Sequence, residues 1–185
     1  RTGFECYSLP DSPMTKAFEE GQAHYGASGH QPGGRVNFIA VGSSSMSNLG
    51  NDYYVQNFYD IPSYKKALDQ NFLPSFRGMQ LNEDDKIRQH ATQQIRSYFK
   101  IDYKNFKEQF GIDAKEYFKK EREYMSEMHK DGLIEFSDEG IFLTEIGRDF
   151  TQNIMNVFDK YDPPEKSYKD RLETVKKAKA AQASI

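Results

Sequence analysis

The 185-residue sequence holds one cysteine, Cys6, and no tryptophan. A single thiol excludes an internal disulfide, a cysteine-built zinc site and a self-contained cysteine-ligated iron–sulfur cluster. No apolar run approaches the roughly 20 residues that span a bilayer. No basic-then-apolar segment precedes the first polar residues. With one thiol and no such segment, the expected location is cytoplasmic. His24, His30, His90 and His129 show neither H-x-x-x-H nor H-E-x-x-H spacing, so they read as surface or packing histidines. A strong charge of one sign is also missing: 25 basic against 28 acidic side chains leave a net −3. Aromatic residues at 14% nevertheless supply enough apolar bulk for a core.

What is present falls into blocks. A strand is expected over residues 3–9, followed by a helix that Ser12 caps with Pro13 at its first position. Residues 26–34 form a loop. The short apolar run over 36–42, bounded by glycines, reads as a buried strand. Strand, helix and strand make a βαβ unit with parallel strands. Parallel strands are normally covered on both faces, so this block reads as the edge of something larger. The chain opens at Arg1 directly into a strand-like stretch, which reads as a cut and not as a natural beginning.

Residues 51–80 form an aromatic connector carrying Tyr53, Tyr54, Phe58 and Tyr59, with a helix from Ser63 that Asn71-Phe72-Leu73-Pro74 stops. From 81 to 162 the pattern is clearest. Ile87, Ala91, Ile95 and Phe99 recur every four residues, predicting a helix over 84–100 capped by Asn82 or Asp84. Helices over 103–110 and 114–130 follow, each with a glycine just past its end. Strands over 133–136 and 141–143 form a hairpin, and Thr144 caps a last helix that Pro163-Pro164 stops. Helix, helix, helix, hairpin, helix is winged-helix topology. Residues 163–185 are a basic tail of +3.

The winged-helix order invites a nucleic-acid reading, but a basic face is missing. Residues 81–162 carry 13 basic and 18 acidic side chains, so phosphate attraction would be weak. The plainer reading is a packing module. Gly42-Ser43-Ser44-Ser45-Met46-Ser47 lacks the Gly-Lys-Ser/Thr of a phosphate loop and the second glycine of a nucleophile elbow. It reads either as a plain turn or as a ligand-facing loop at the carboxyl end of a strand. Glu83-Asp84-Asp85 could act as an acid–base pair, but three acids opening a helix read first as complements to its dipole. Cys6, in the expected buried strand, reads as a small hydrophobe.

One stretch is more specific. Phe76-Arg77-Gly78-Met79-Gln80-Leu81-Asn82-Glu83-Asp84-Asp85-Lys86-Ile87-Arg88 resembles the R-G-x-x-L-x-x-D-D-x-I-R pattern in the carboxyl-terminal part of the oxygen-independent coproporphyrinogen III oxidase family. Gly132-Leu133-Ile134, Gly140-Ile141, Thr144, Gly147-Arg148, Asn153-Ile154 and Val157-Phe158-Asp159 with Tyr161 continue the resemblance. Upstream, Gly3, Leu9-Pro10 and the 42–47 segment are similar to it as well, so the likeness runs in order over about residues 3–162.

The resemblance implies the last segment of a partial (β/α) radical-SAM barrel over 1–50, then a mostly helical, winged-helix-like domain over 81–162: an α+β chain. It implies an oxidoreductase that decarboxylates two propionates of coproporphyrinogen III to vinyls, giving protoporphyrinogen IX for haem synthesis. It also implies S-adenosylmethionine and a [4Fe–4S] cluster on a three-cysteine loop in the parent enzyme. That loop is absent here, so the expectation is that this chain alone binds neither cofactor and is catalytically dead. The implied partner is a tetrapyrrole held with the barrel, in a monomeric parent. Family positions at a second S-adenosylmethionine correspond to Ala27, Ser28 and Met46. They carry side chains unlike the family's Phe, Gln and Ile, and Cys6 stands where the family has His. The departures allow a divergent relative acting on another tetrapyrrole. A stand-alone winged-helix module for nucleic acid or protein is the reading of another class.

Overall fold

Ser12 opens the first helix as its side chain dictates, its oxygen accepting from Thr15 N at 3.2 Å with Pro13 at the first helical position. This helix is α1 (Pro13–Glu19). The computed structural model describes residues 1–26, 29–33, 37–50, 52–161, 172, 173 and 176. A two-stranded hairpin follows, β1 (His24–Gly26) and β2 (Gly29–Gln31). Next comes an antiparallel sheet of β3 (Met46–Leu49), β4 (Tyr53–Asn57) and β5 (Ser75–Gln80), in that spatial order. Helix α2 (Ile61–Asp69) connects β4 to β5, capped by Asp60 through Ser63 N at 2.8 Å.

Helix α3 (Glu83–Tyr98) begins in a capping box: Asn82 Oδ1 accepts from Asp85 N while Asp85 Oδ2 accepts from Asn82 N, both at 3.0 Å. Then come β6 (Lys100–Asp102), α4 (Tyr103–Phe110), α5 (Ala114–Tyr117), α6 (Lys119–Lys130), β7 (Ile134–Phe136) and β8 (Gly140–Leu143). β8 lies between β6 and β7 in an antiparallel sheet. A 3-10 turn over Gly147–Phe150 leads into α7 (Thr151–Asn156). The apolar stripe of α3 is buried here, as its four-residue spacing requires. Ile87, Ala91, Ile95 and Phe99 pack with Phe106, Phe118, Met125, Met128, Ile154 and Phe158 in one core. Of the tail, Leu172 joins this core at 2% exposure.

Several expectations are corrected. Residues 3–9 form no strand. Gly3 and Glu5 adopt positive φ, and Phe4 N reaches across to the Arg96 carbonyl at 2.8 Å. The run over 36–42 is not a buried strand. Val36 lies outside the described residues, Phe38 makes one isolated bridge to Asn48, and Ile39 and Val41 are 76% and 87% exposed. No βαβ unit exists among the described residues, because every described strand pairing is antiparallel. The 51–80 connector carries two strands besides its helix. The helix expected over 114–130 breaks at Phe118, whose ring enters the core at 1% exposure. Thr144 does accept from Gly147 N at 3.0 Å, but the turn after it is 3-10 and α7 stops before Val157.

Candidate functional site

Helix α3 has two faces. The apolar one builds the core; the other carries Gln89, Thr92, Gln93 and Arg96, spaced three or four apart and so aligned along the helix. This polar face forms one wall of a cleft of about 830 Å³. Phe38, Ile39 and Val41 of the loop before β3, together with Met46 on β3, supply its apolar lining. Tyr54 of β4 and Tyr25 of β1 line it as well. The volume suits a sizeable organic ligand.

The hairpin is pinned to α3 by one side chain. Gln93 Nε2 donates to the Tyr25 carbonyl at 2.5 Å, and Gln93 Oε1 accepts from Tyr25 N at 3.2 Å. The amide thus imitates a neighbouring strand, satisfying both backbone groups of Tyr25. The Tyr25 ring lies under the Arg96 guanidinium, 4.0 Å from its carbon. His30, on the second hairpin strand, bonds the Phe4 carbonyl at 3.0 Å and meets the Tyr25 ring edge-on. Burial pushes the His30 imidazole below its ordinary value; the Phe4 bond opposes that shift and the nearby Arg96 charge adds to it.

The serine loop is stabilised internally. Ser45 Oγ donates to the Val41 carbonyl at 2.8 Å, Ser47 Oγ accepts from Ala40 N at 3.1 Å, and Gly42 N donates to the Tyr64 hydroxyl at 3.0 Å. These groups hold the turn's shape and form neither a phosphate cradle nor an activated nucleophile. Ser44, Ser45 and Ser47 nonetheless lie on the cleft wall beside Met46.

A second polar cluster sits at the start of α3. Asp84 takes Arg88 Nε at 3.0 Å, Lys160 Nζ at 2.8 Å and the Tyr117 hydroxyl at 2.6 Å. Asp85 takes Lys160 Nζ at 2.6 Å and the Tyr161 hydroxyl at 3.0 Å. Arg88 also reaches Glu121 at 2.8 Å. Burial opposes ionisation of Asp84, but the Lys160 ammonium and Tyr117 hydroxyl outweigh it and hold the carboxyl below its usual range. Burial and the neighbouring Asp84 push Tyr117 up to about 12. These acids tie the start of α3 to Tyr117 of α5 and to Lys160 and Tyr161, while Arg88 ties it to Glu121 of α6 and to the Phe158 carbonyl. They are not arranged as an acid–base pair, since each already holds a cation.

Of the three expected ligand positions, Met46 lines the cleft at 46% exposure, while Ala27 and Ser28 lie outside the described residues. Their neighbour Gly26 borders the cleft. Cys6 is half-buried and in no strand, with Thr2 Oγ1 donating to its sulfur at 3.4 Å. A cluster bound through three thiolates does not fit a chain with one. Among the described residues, no group of three or more His, Cys, Asp or Glu side chains could hold a metal ion. No described helix is long and apolar enough to cross a membrane. Sequence reasoning missed Gln89, Gln93 and Arg96; their spacing along the face opposite the apolar stripe was the available signal.

The motif glycines have a packing cause. A Cβ on Gly147 would strike the Leu133 carbonyl, and one on Gly140 the Ile101 carbonyl. One on Gly78 would approach the Tyr54 carbonyl at 3.0 Å.

Residues 81–150 match the HemN C-terminal domain family. The oxygen-independent coproporphyrinogen III oxidase of Pseudomonas aeruginosa is 32% identical over 161 residues, covering 87% of this chain and 35% of the relative. Its Escherichia coli counterpart is 29% identical over 159 residues, covering 86% of this chain and 35% of the relative. A solved structure described as "Coproporphyrinogen III oxidase (HemN) from Escherichia coli is a Radical SAM enzyme" superposes with a TM-score of 0.79 at 29% identity, over 83% of this chain and 35% of that one. The chain thus spans about a third of the length of these relatives. Motifs, fold and sequence agree that it is homologous to the carboxyl-terminal part of oxygen-independent coproporphyrinogen III oxidase.

Proposed function

We propose that this chain provides the carboxyl-terminal part of an oxygen-independent coproporphyrinogen III oxidase-like radical-SAM enzyme. Residues 1–50 complete the rim of its partial barrel, residues 51–80 connect, and the winged-helix-like domain over 81–162 covers the barrel opening. The carrying observation is the likeness to the HemN structure, with a TM-score of 0.79 across 83% of this chain. The cleft supports the reading, since its apolar loop, Met46 and the hairpin edge converge on one space. Exposed Tyr7, Leu9, Ile39 and Val41 also form apolar surface suited to contact with a barrel.

In that role the chain's residues bind and enclose. The polar face of α3 orients a tetrapyrrole, the apolar loop excludes water, and Gln93 fixes the hairpin beside the ligand. S-adenosylmethionine and the iron–sulfur cluster belong to the parent enzyme; the thiolates for the cluster come from outside this chain, which alone is catalytically inactive. A divergent relative acting on another tetrapyrrole is favoured by one observation, Met46 at the cleft wall in place of the family's Ile. Deleting residues 81–161 from a barrel-fused protein should abolish coproporphyrinogen decarboxylation while leaving the cluster's absorbance in place. Undiminished decarboxylation would remove the covering role, and a preference of the fused protein for a different tetrapyrrole would establish the divergent variant.

A further inference from the structure

Arg96 is the one ionised side chain among the described residues lining the cleft. Its guanidinium has five N–H donors. Among the described residues it makes one hydrogen bond, from Nη2 to Gln152 Oε1 at 3.0 Å, and no ion pair. Nε is buried without an acceptor. A charged donor left so costs stability unless something else supplies the acceptor. The arginine is also held in place. Its backbone carbonyl accepts from Phe4 N at 2.8 Å, its plane lies over Tyr25 at 4.0 Å, and the Phe4 ring is 6.0 Å away. Two turns earlier on the same helix face, Gln89 Oε1 is a second buried polar atom without a partner. Gln89 Nε2, by contrast, is engaged by the Tyr54 hydroxyl at 2.5 Å.

From this geometry we infer that Arg96 is a carboxylate anchor: its planar fork receives one ionised carboxylate of the molecule that fills the cleft. A guanidinium stacked on an aromatic face has lost much of its freedom in advance, which suits two-point recognition of a planar anion. The apolar lining of Phe38, Ile39, Val41 and Met46 accommodates the ligand's hydrocarbon body, so the ligand is an amphiphilic carboxylate. The inference rests on the proposed function, under which the carboxylate is a tetrapyrrole propionate. The amino-acid carboxylate of S-adenosylmethionine is the other source with the same chemistry. Asp159 and Arg96 both line a smaller cavity, which makes Asp159 the competing acceptor within the chain.

The test labels the full 185-residue chain uniformly with nitrogen-15, so that the Gln93 and Tyr54 amides are read beside the Arg96 Nε. The protein is titrated with coproporphyrin III, its tetramethyl ester and S-adenosylmethionine. The expected result is a shift of the Arg96 Nε resonance on adding coproporphyrin III. Arg96→Gln should bind it about tenfold more weakly, with Arg96→Lys between the two. The ester should bind wild type and Arg96→Gln alike, a pattern that a merely unfolded variant could not give. The same shift and loss with S-adenosylmethionine instead would keep the anchor and reassign the carboxylate. Ligand binding that moves the Gln93 and Tyr54 signals but not Arg96 overturns the anchor and leaves the proposed function standing. So does an Arg96 resonance that Asp159→Asn shifts without any ligand. If none of the three molecules perturbs the cleft, the anchor fails for this chain; the proposed function fails with it only if the barrel-fused protein is also inactive.

Discussion

Gly147 leaves no room for a side chain. A methyl group there would press on the Leu133 carbonyl, which already accepts from Thr144 N at 3.0 Å. Gly147→Ala should therefore cost about 1–3 kcal/mol, and a urea titration will show it as a lower midpoint with an unchanged slope. Tyr117 allows a different test. Its folded value of about 12 lies above the ordinary 10.0, so its contribution is complete below pH 10 and disappears as pH rises toward 12. Thermal melts from pH 9 upward should show that loss in wild type and a smaller one in Tyr117→Phe. Asp84 and Asp85 act with the opposite sign. Both sit below 3.8, so their contribution is present above that value and is lost on acidification through the lowered one. An acid melt that moved no further in wild type than in Asp84→Asn would contradict the network.

Among the elements, α3 does most to place the site. One side of it buries the core stripe and the other presents Gln89, Gln93 and Arg96 to the cleft. Gln93→Leu leaves both backbone groups of Tyr25 without their partner, so it should cost about 1–3 kcal/mol. Hydrogen exchange at the Tyr25 amide should quicken while that at Ile95 does not. The stripe made α3 legible in the sequence, as Gly111 and the hairpin loop did for α4 and for β7 with β8. The 36–42 run misled for a physical reason: apolar residues lining an open cleft carry the same pattern as a buried strand. Strand β5 is illegible in the sequence because it is exposed along its length and carries no inward apolar alternation. The break at Phe118 has no glycine or proline to announce it; burial of the ring among Phe106, Tyr117 and Phe158 decides it.

At the scale of the whole molecule, charge and surface follow the same division. A single cysteine, Cys6, cannot supply the three thiolates that a cluster loop needs. Ile39 and Val41, at 76% and 87% exposure, give the chain apolar surface that a barrel would cover. A dye that reports exposed apolar surface should fluoresce with the isolated chain and lose that signal when the chain is joined to a barrel. The measurement closest to the central claim replaces the carboxyl-terminal third of a homologous oxidase by this chain and follows coproporphyrinogen III under anaerobic reduction with S-adenosylmethionine. The chimaera should yield protoporphyrinogen IX, and the barrel or this chain alone should yield none. A well-folded chimaera with its cluster intact that consumes neither coproporphyrinogen nor any related tetrapyrrole would contradict that claim.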